Sequence, residues 1–171
     1  MEIIFETERL LFRLFTMNDA AIVYDLNKDP EVTKHTHDPM DSVEQAAMVL
    51  EKTILPQYAL YNHGRWAVHL KSDGSFIGWC GLKYRPELNE VDLGYRYKKE
   101  YWGKGYATEA AFATIKYGFE KLNLQKITGR AEPGNRGSVS VLEKCGMQYI
   151  GQQLVDGHEA LTYELINPSI R

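Results

Sequence analysis

Between Trp102 and Ala110 the chain reads Trp102-Gly103-Lys104-Gly105-Tyr106-Ala107-Thr108-Glu109-Ala110. Two glycines at a bend let the backbone approach a ligand with no Cβ in the way. An apolar stripe follows and predicts a helix. The first N–H groups of a helix have no intrahelical partner and sit at its positive dipole end. Such a bend can grip a phosphate or pyrophosphate, with Lys104 adding a charge-assisted contact. The alternative is a glycine-rich loop that only starts a helix. Two other phosphate loops are excluded. A Walker A loop needs GxxxxGK followed by Ser or Thr, and Gly103-Lys104 has neither the leading glycine nor the hydroxyl. A GxGxxG loop needs glycine where Thr108 stands.

Glu90 and Asp92 offer proton-transfer chemistry. They lie two apart on a run that alternates, with Val91, Leu93, Tyr95 and Tyr97 on one face and Glu90, Asp92, Gly94 and Arg96 on the other. Repulsion between two carboxylates on one side would raise one of them toward the range of a general base. The alternative is a pair of solvated edge charges. Gly94 inside the strand predicts a bulge or a close backbone approach. His35, His37 and Asp38 lie in a Pro-flanked loop, but their spacing lacks a third committed metal ligand. Cys80 and Cys145 form no CxxC pair and have no neighbouring base in sequence, so both read as reduced, buried thiols rather than nucleophiles.

The elements that must position these groups follow from pattern. A first strand is expected over Leu10 to Leu14, then a short helix from Asn18 or Asp19. Residues 29–40 read as a loop. A second helix starts at Asp41-Ser42, where Ser42 and Gln45 have capping-box spacing, and Pro56 should end or kink it. Strands follow over Trp66 to Leu70, Phe76 to Tyr84 and Glu90 to Tyr97, the first two joined at Asp73-Gly74. A long helix spans about Tyr106 to Leu122, with Ala111, Phe112, Ile115, Phe119 and Leu122 as its core stripe. Lys126 to Ala131 is a strand, Ser138 to Lys144 a helix with Ser138 as its N-cap, and two strands around Asp156-Gly157 close the chain. The order βααβββαβαββ predicts a mixed α/β (α+β) sheet, mostly antiparallel, with helices on its faces.

With 171 residues, 44% hydrophobic and 25% charged, the chain is sized for one domain over residues 1–171, and disorder is excluded. A net charge of −3 offers no bulk attraction for nucleic acid. No apolar run approaches the ~18 residues a membrane span needs. The acidic start is unlike a signal peptide, and a cytoplasmic protein is expected.

Four segments in this order resemble the GNAT N-acetyltransferase superfamily, in its RimJ/RimL-type branch of ribosomal-protein N-terminal acetyltransferases. Gly105 and Ala107 match the family's Q/R-x-x-G-x-G/A signature, with Trp102 in place of Gln or Arg. Thr7 to Arg13 resembles the opening strand, Leu93-Gly94-Tyr95 the fourth strand, and Asn135 to Ser138 with Leu142 to Met147 the NxxS…LEKxGF segment. The resemblance implies a GNAT fold and acetyl-CoA as donor. Residues 102–108 would hold its pyrophosphate, with Lys104 and Lys144 near the phosphates. The pantetheine would lie in a splay beside Leu93, Tyr95 and Tyr97 and bond Asn135. Glu90 falls at the offset of a catalytic Glu in several members. Ser138 falls where a serine is proposed to protonate the thiolate; the tyrosine that many relatives use there is Leu142. His35, His37 and Asp92 become candidates to bind the acceptor. That acceptor would be a primary amine, on a protein N-terminus or a small molecule, attacking directly in a ternary complex. The branch is often dimeric, so a homodimer is an expectation. The short Asp156-Gly157 hairpin departs from the branch, speaks against ribosomal-protein specificity and favours a small or differently presented amine. The competing readings are a non-catalytic acyl-CoA-binding module on the same fold and a nucleotide-binding protein.

Overall fold

The computed structural model describes residues 1–169. Eight strands form one sheet in the order β1-β2-β3-β4-β5-β6-β8-β7. They are β1 Ile3–Glu6, β2 Leu10–Arg13, β3 Arg65–Leu70, β4 Phe76–Arg85, β5 Glu90–Tyr97, β6 Lys126–Ala131, β7 Gln148–Val155 and β8 His158–Ile166. Neighbours run antiparallel except β5 and β6, which are parallel because a helix crosses between them. The strand order after Trp66 agrees with the sequence reading. The opening differs: Ile3–Glu6 is a strand of its own, held where Phe5 stacks on Phe12 at 4.2 Å.

The helices are α1 Ala20–Asn27, α2 Val43–Val49, α3 Leu55–Tyr61, α4 Tyr106–Glu120 and α5 Arg136–Lys144. Thr16, rather than Asn18 or Asp19, makes the capping box of the first helical turn, with Asp19 reciprocating. Ser42 caps α2 by accepting from the Gln45 N–H. Pro56 does not end the helical path. Leu50–Ile54 widens into a π-helical stretch, and Pro56 then sits in the first turn of α3, where its missing N–H has no intrahelical duty.

The sheet carries an apolar cluster on each face. Trp66, Val68, Leu82 and Leu93 meet α4 and α5 on one; Ala67 and Trp79 meet α1 and α2 on the other. Phe112 is a correction: it is 60% exposed, and Ala110, Ala111, Thr114, Ile115 and Gly118 make the buried stripe of α4. Gly118 lets α4 approach Leu82 so closely that a Cβ would stand 2.9 Å from its methyl. Among the described residues no helix is long and apolar enough to cross a membrane.

Candidate active site

The β5–β6 pairing holds only Asp92 opposite Thr128 and Leu93 opposite Gly129. Beyond that point both strands run on without pairing to each other, so their facing backbone groups are free. The gap opens toward the start of α4 and into a cleft of about 1060 Å³. Gly105 is the N-cap of α4 at φ 83°, and no side chain caps the helix. Its first-turn N–H groups therefore keep their donor capacity. Gly103, at φ 74°, has open space where a Cβ would stand.

The bend is braced from behind by the start of the chain. Arg9 donates to the Glu109 carboxylate at 2.8 Å and to the Lys104 carbonyl at 3.0 Å, and stacks on Tyr106 at 4.3 Å. Thr7 Oγ1 donates to Glu109 at 2.8 Å. Burial would raise the Glu109 carboxyl; the Arg9 and Thr7 hydrogen bonds outweigh it and hold it below its ordinary value. The Thr7-Glu8-Arg9 and Gly103 to Glu109 segments are thus one construction.

Most of the expected site residues meet in this cleft. Trp102, Gly103, Gly105, Tyr106, Ala107 and Thr108 line it, while Lys104 does not and lies exposed. Leu93, Tyr95 and Tyr97 form one wall, and Asn135, Ser138 and Lys144 another. Asn135, not Ser138, caps α5, accepting from the Ser138 N–H at 3.3 Å. That frees the Ser138 hydroxyl, which lies 2.8 Å from the Tyr95 hydroxyl across the gap. Burial pushes the Tyr95 phenol well above its ordinary value, so it stays protonated.

The carboxylate expectations change. Glu90 does not line the cleft; Arg130 donates to its carboxylate at 2.7 Å. Asp92 is buried between Arg65 at 2.9 Å and Arg85 at 2.7 Å. Burial would raise its carboxyl, but the two guanidiniums outweigh that and lower it. Partnered by arginines, Asp92 does not gain the raised value that repulsion from Glu90 predicts. Nor is there a bulge at Gly94, since β4 and β5 pair residue for residue. What approaches Gly94 is a side chain rather than backbone: a Cβ there would meet Arg65 Nη2 at 2.3 Å.

The loop of residues 29–40 covers the cleft with His35. Its Nδ1 lies 2.7 Å from Glu132 Oε2, and His37 Nε2 lies 2.7 Å from Oε1. His37, at φ 59°, stays outside the cleft and stacks on His158 at 4.1 Å. A third metal-ligating group, which sequence spacing does not provide, is therefore present: Glu132 and His158 lie beside His37. The carboxylate already bonds both imidazoles, however, and parallel rings do not aim their in-plane lone pairs at one point. The arrangement is a hydrogen-bonded cluster that holds Glu132 below its ordinary value through His37 and His35. Glu132, Arg65, Lys83 and Arg130 also line the cleft. Lying outside every motif, they left no mark in the sequence beyond their charge. Cys80 and Cys145 are free and buried, and burial pushes each thiol up to about 11, unsuited to an acyl-enzyme nucleophile.

The family described as Acetyltransferase (GNAT) domain matches residues 9–148. An uncharacterized N-acetyltransferase of Bacillus licheniformis is 33% identical over 148 residues, covering 85% of this chain and 82% of its own. A GNAT-family acetyltransferase from Bacillus anthracis superposes with a TM-score of 0.80 at 28% identity, over 98% of this chain and 99% of its own. A spermidine N-acetyltransferase from Vibrio cholerae, solved with CoA and spermine, shares the fold at a TM-score of 0.77 and 19% identity, over 94% and 97%. The chain belongs to the GNAT acetyltransferase superfamily and has its mixed α/β fold. Acetyl transfer is the activity of that family, and acetyl-CoA is its donor.

Proposed function

We propose that this protein is an N-acetyltransferase of the RimJ/RimL-type branch that moves an acetyl group from acetyl-CoA to a primary amine by direct attack in a ternary complex. One observation carries the reading: the parted β5 and β6 and the uncapped start of α4 open into the same cleft. A long, flexible cosubstrate with a charged middle fits that combination. The amides after Gly105 would grip the diphosphate, and Lys144, which lines the same cleft, would add a cation. The unpaired edges of β5 and β6 would hydrogen-bond the pantetheine arm as an added strand does.

Acetyl-CoA supplies a thioester carbonyl, which only a neutral amine attacks. The chain's own groups arrange the protons. Glu132 fixes the His35 imidazole through Nδ1 and leaves Nε2 with no protein partner among the described residues. His35 thus takes the proton-accepting role that spacing assigned to Glu90. The Ser138 hydroxyl, backed by the protonated Tyr95 phenol, is the donor for the departing thiolate. Backbone N–H groups beyond Leu93 serve the oxyanion.

The test is CoA affinity by calorimetry and release of free CoA with a panel of amines. Gly105→Glu puts a Cβ at positive φ and an anion at the diphosphate site. CoA affinity should fall about tenfold or more. Unchanged affinity sinks the assignment of the bend. Tight CoA binding with no turnover on any amine supports a binding module instead.

A further inference from the structure

The floor of the cleft, below the point where β5 and β6 part, is built from the sheet face that carries Arg65, Lys83, Arg85 and Asp92. The Arg65 guanidinium lies directly over Gly94, beside the place where the parted strands begin. Three cations here surround one buried carboxylate, and that carboxylate is fully engaged. Asp92 Oδ1 accepts from Arg65 and Oδ2 from Arg85. Asp156, at the tip of the β7–β8 hairpin, serves Arg85 as well, at 3.0 Å.

Lys83 is left over. It stands opposite Asp92 on the neighbouring strand, half-buried, and lines the cleft. Among the described residues it has neither a carboxylate within ion-pair distance nor a hydrogen-bond partner. Burial lowers its ammonium, and the nearby Arg65 and Arg85 add to that. A half-buried ammonium next to two guanidiniums carries a desolvation cost and a like-charge cost that Asp92 and Asp156 offset only at a distance, with no direct ion pair. An incoming anion would relieve both.

We propose that the acceptor is an amine that also carries a carboxylate, with Lys83 receiving the carboxylate while the amine lies near Gly94. This rests on the N-acetyltransferase reading and narrows it. A polyamine brings only further positive charge to this floor. A protein N-terminus brings an amide where the carboxylate would be. A free amino acid brings one negative charge a few bonds from its amine, which matches one unpaired ammonium.

The experiment measures CoA release from acetyl-CoA with the free amino acids, each beside its carboxamide, and with spermidine. Wild type and Lys83→Met are compared, and CoA affinity is measured for both by calorimetry. In wild type the preferred acid should exceed its amide about tenfold or more in kcat/KM, because the amide leaves the buried charge unanswered. Lys83→Met should erase that ratio, through KM more than kcat, with CoA affinity unchanged. The proposal is overturned if amides or spermidine serve as well as acids, if Lys83→Met keeps the ratio, or if no carboxylate-bearing amine turns over. Failure of wild type to bind CoA would instead sink the N-acetyltransferase reading itself.

Discussion

A histidine becomes a useful base only when something fixes its tautomer. His35 meets that condition through Glu132, whose second oxygen is held by His37, so the carboxylate cannot turn away. His35→Gln should lower kcat/KM by about 10²-fold at neutral pH, the usual scale of general-base catalysis. CoA affinity should stay constant. An unchanged kcat/KM would hand the proton to water. Glu90→Gln distinguishes the alternatives: with its carboxylate turned to Arg130, its loss should change kcat/KM little.

At the scale of elements, Glu109 in the first turn of α4 ties that helix to the β1–β2 connection through Thr7 and Arg9. Its carboxyl is lower in the folded chain than the ordinary 4.5. A depressed carboxyl stabilises the fold fully above its ordinary value, and that contribution is lost as pH falls through the folded value. Glu109→Gln should therefore cost about 1 kcal/mol at pH 7, discounted for the partial exposure of Arg9, and much less at pH 3. Urea unfolding at both pH values checks this. An equal loss at both would mean packing, not charge, is responsible. CoA affinity should fall in the same variant, because the bend loses its brace.

For the whole molecule, the Arg65–Asp92–Arg85 triad links β3, β4 and β5 at the centre of the sheet. Asp92→Asn leaves the Arg65 guanidinium with no carboxylate partner in a buried setting, while Arg85 keeps Glu87 and Asp156, and should destabilise the protein by about 3 kcal/mol. The folded Asp92 lies below its ordinary 3.8, so wild-type stability should drop as pH falls below that value, and the variant should lose this acid step. Thermal unfolding across pH 2 to 7 reads both. A variant as stable as wild type would show that the floor tolerates its cations unpaired, and would remove the cost on which the role of Lys83 depends.

Much of this was legible in one dimension. The bend at Gly103 and Gly105, the alternation of residues 90–97 and the Asp156-Gly157 hairpin each depend on neighbours within a few residues, where backbone freedom and side-chain period act. The exposed Phe112 shows the limit of periodicity, since two adjacent stripes of α4 both read as apolar and only packing against Leu82 and Ile127 chose between them. Charge partners lay further out of reach. Glu90 and Asp92 sit two residues apart, yet Arg130, Arg65 and Arg85 decide what each does, and those arginines arrive from other strands. Sequence alone determined the glycine bend that opens α4, because that bend is made of local backbone freedom. Only the tertiary structure decided which charges are paired and that Lys83 is left without an ion pair, because electrostatic environment is set by contacts between residues remote along the chain.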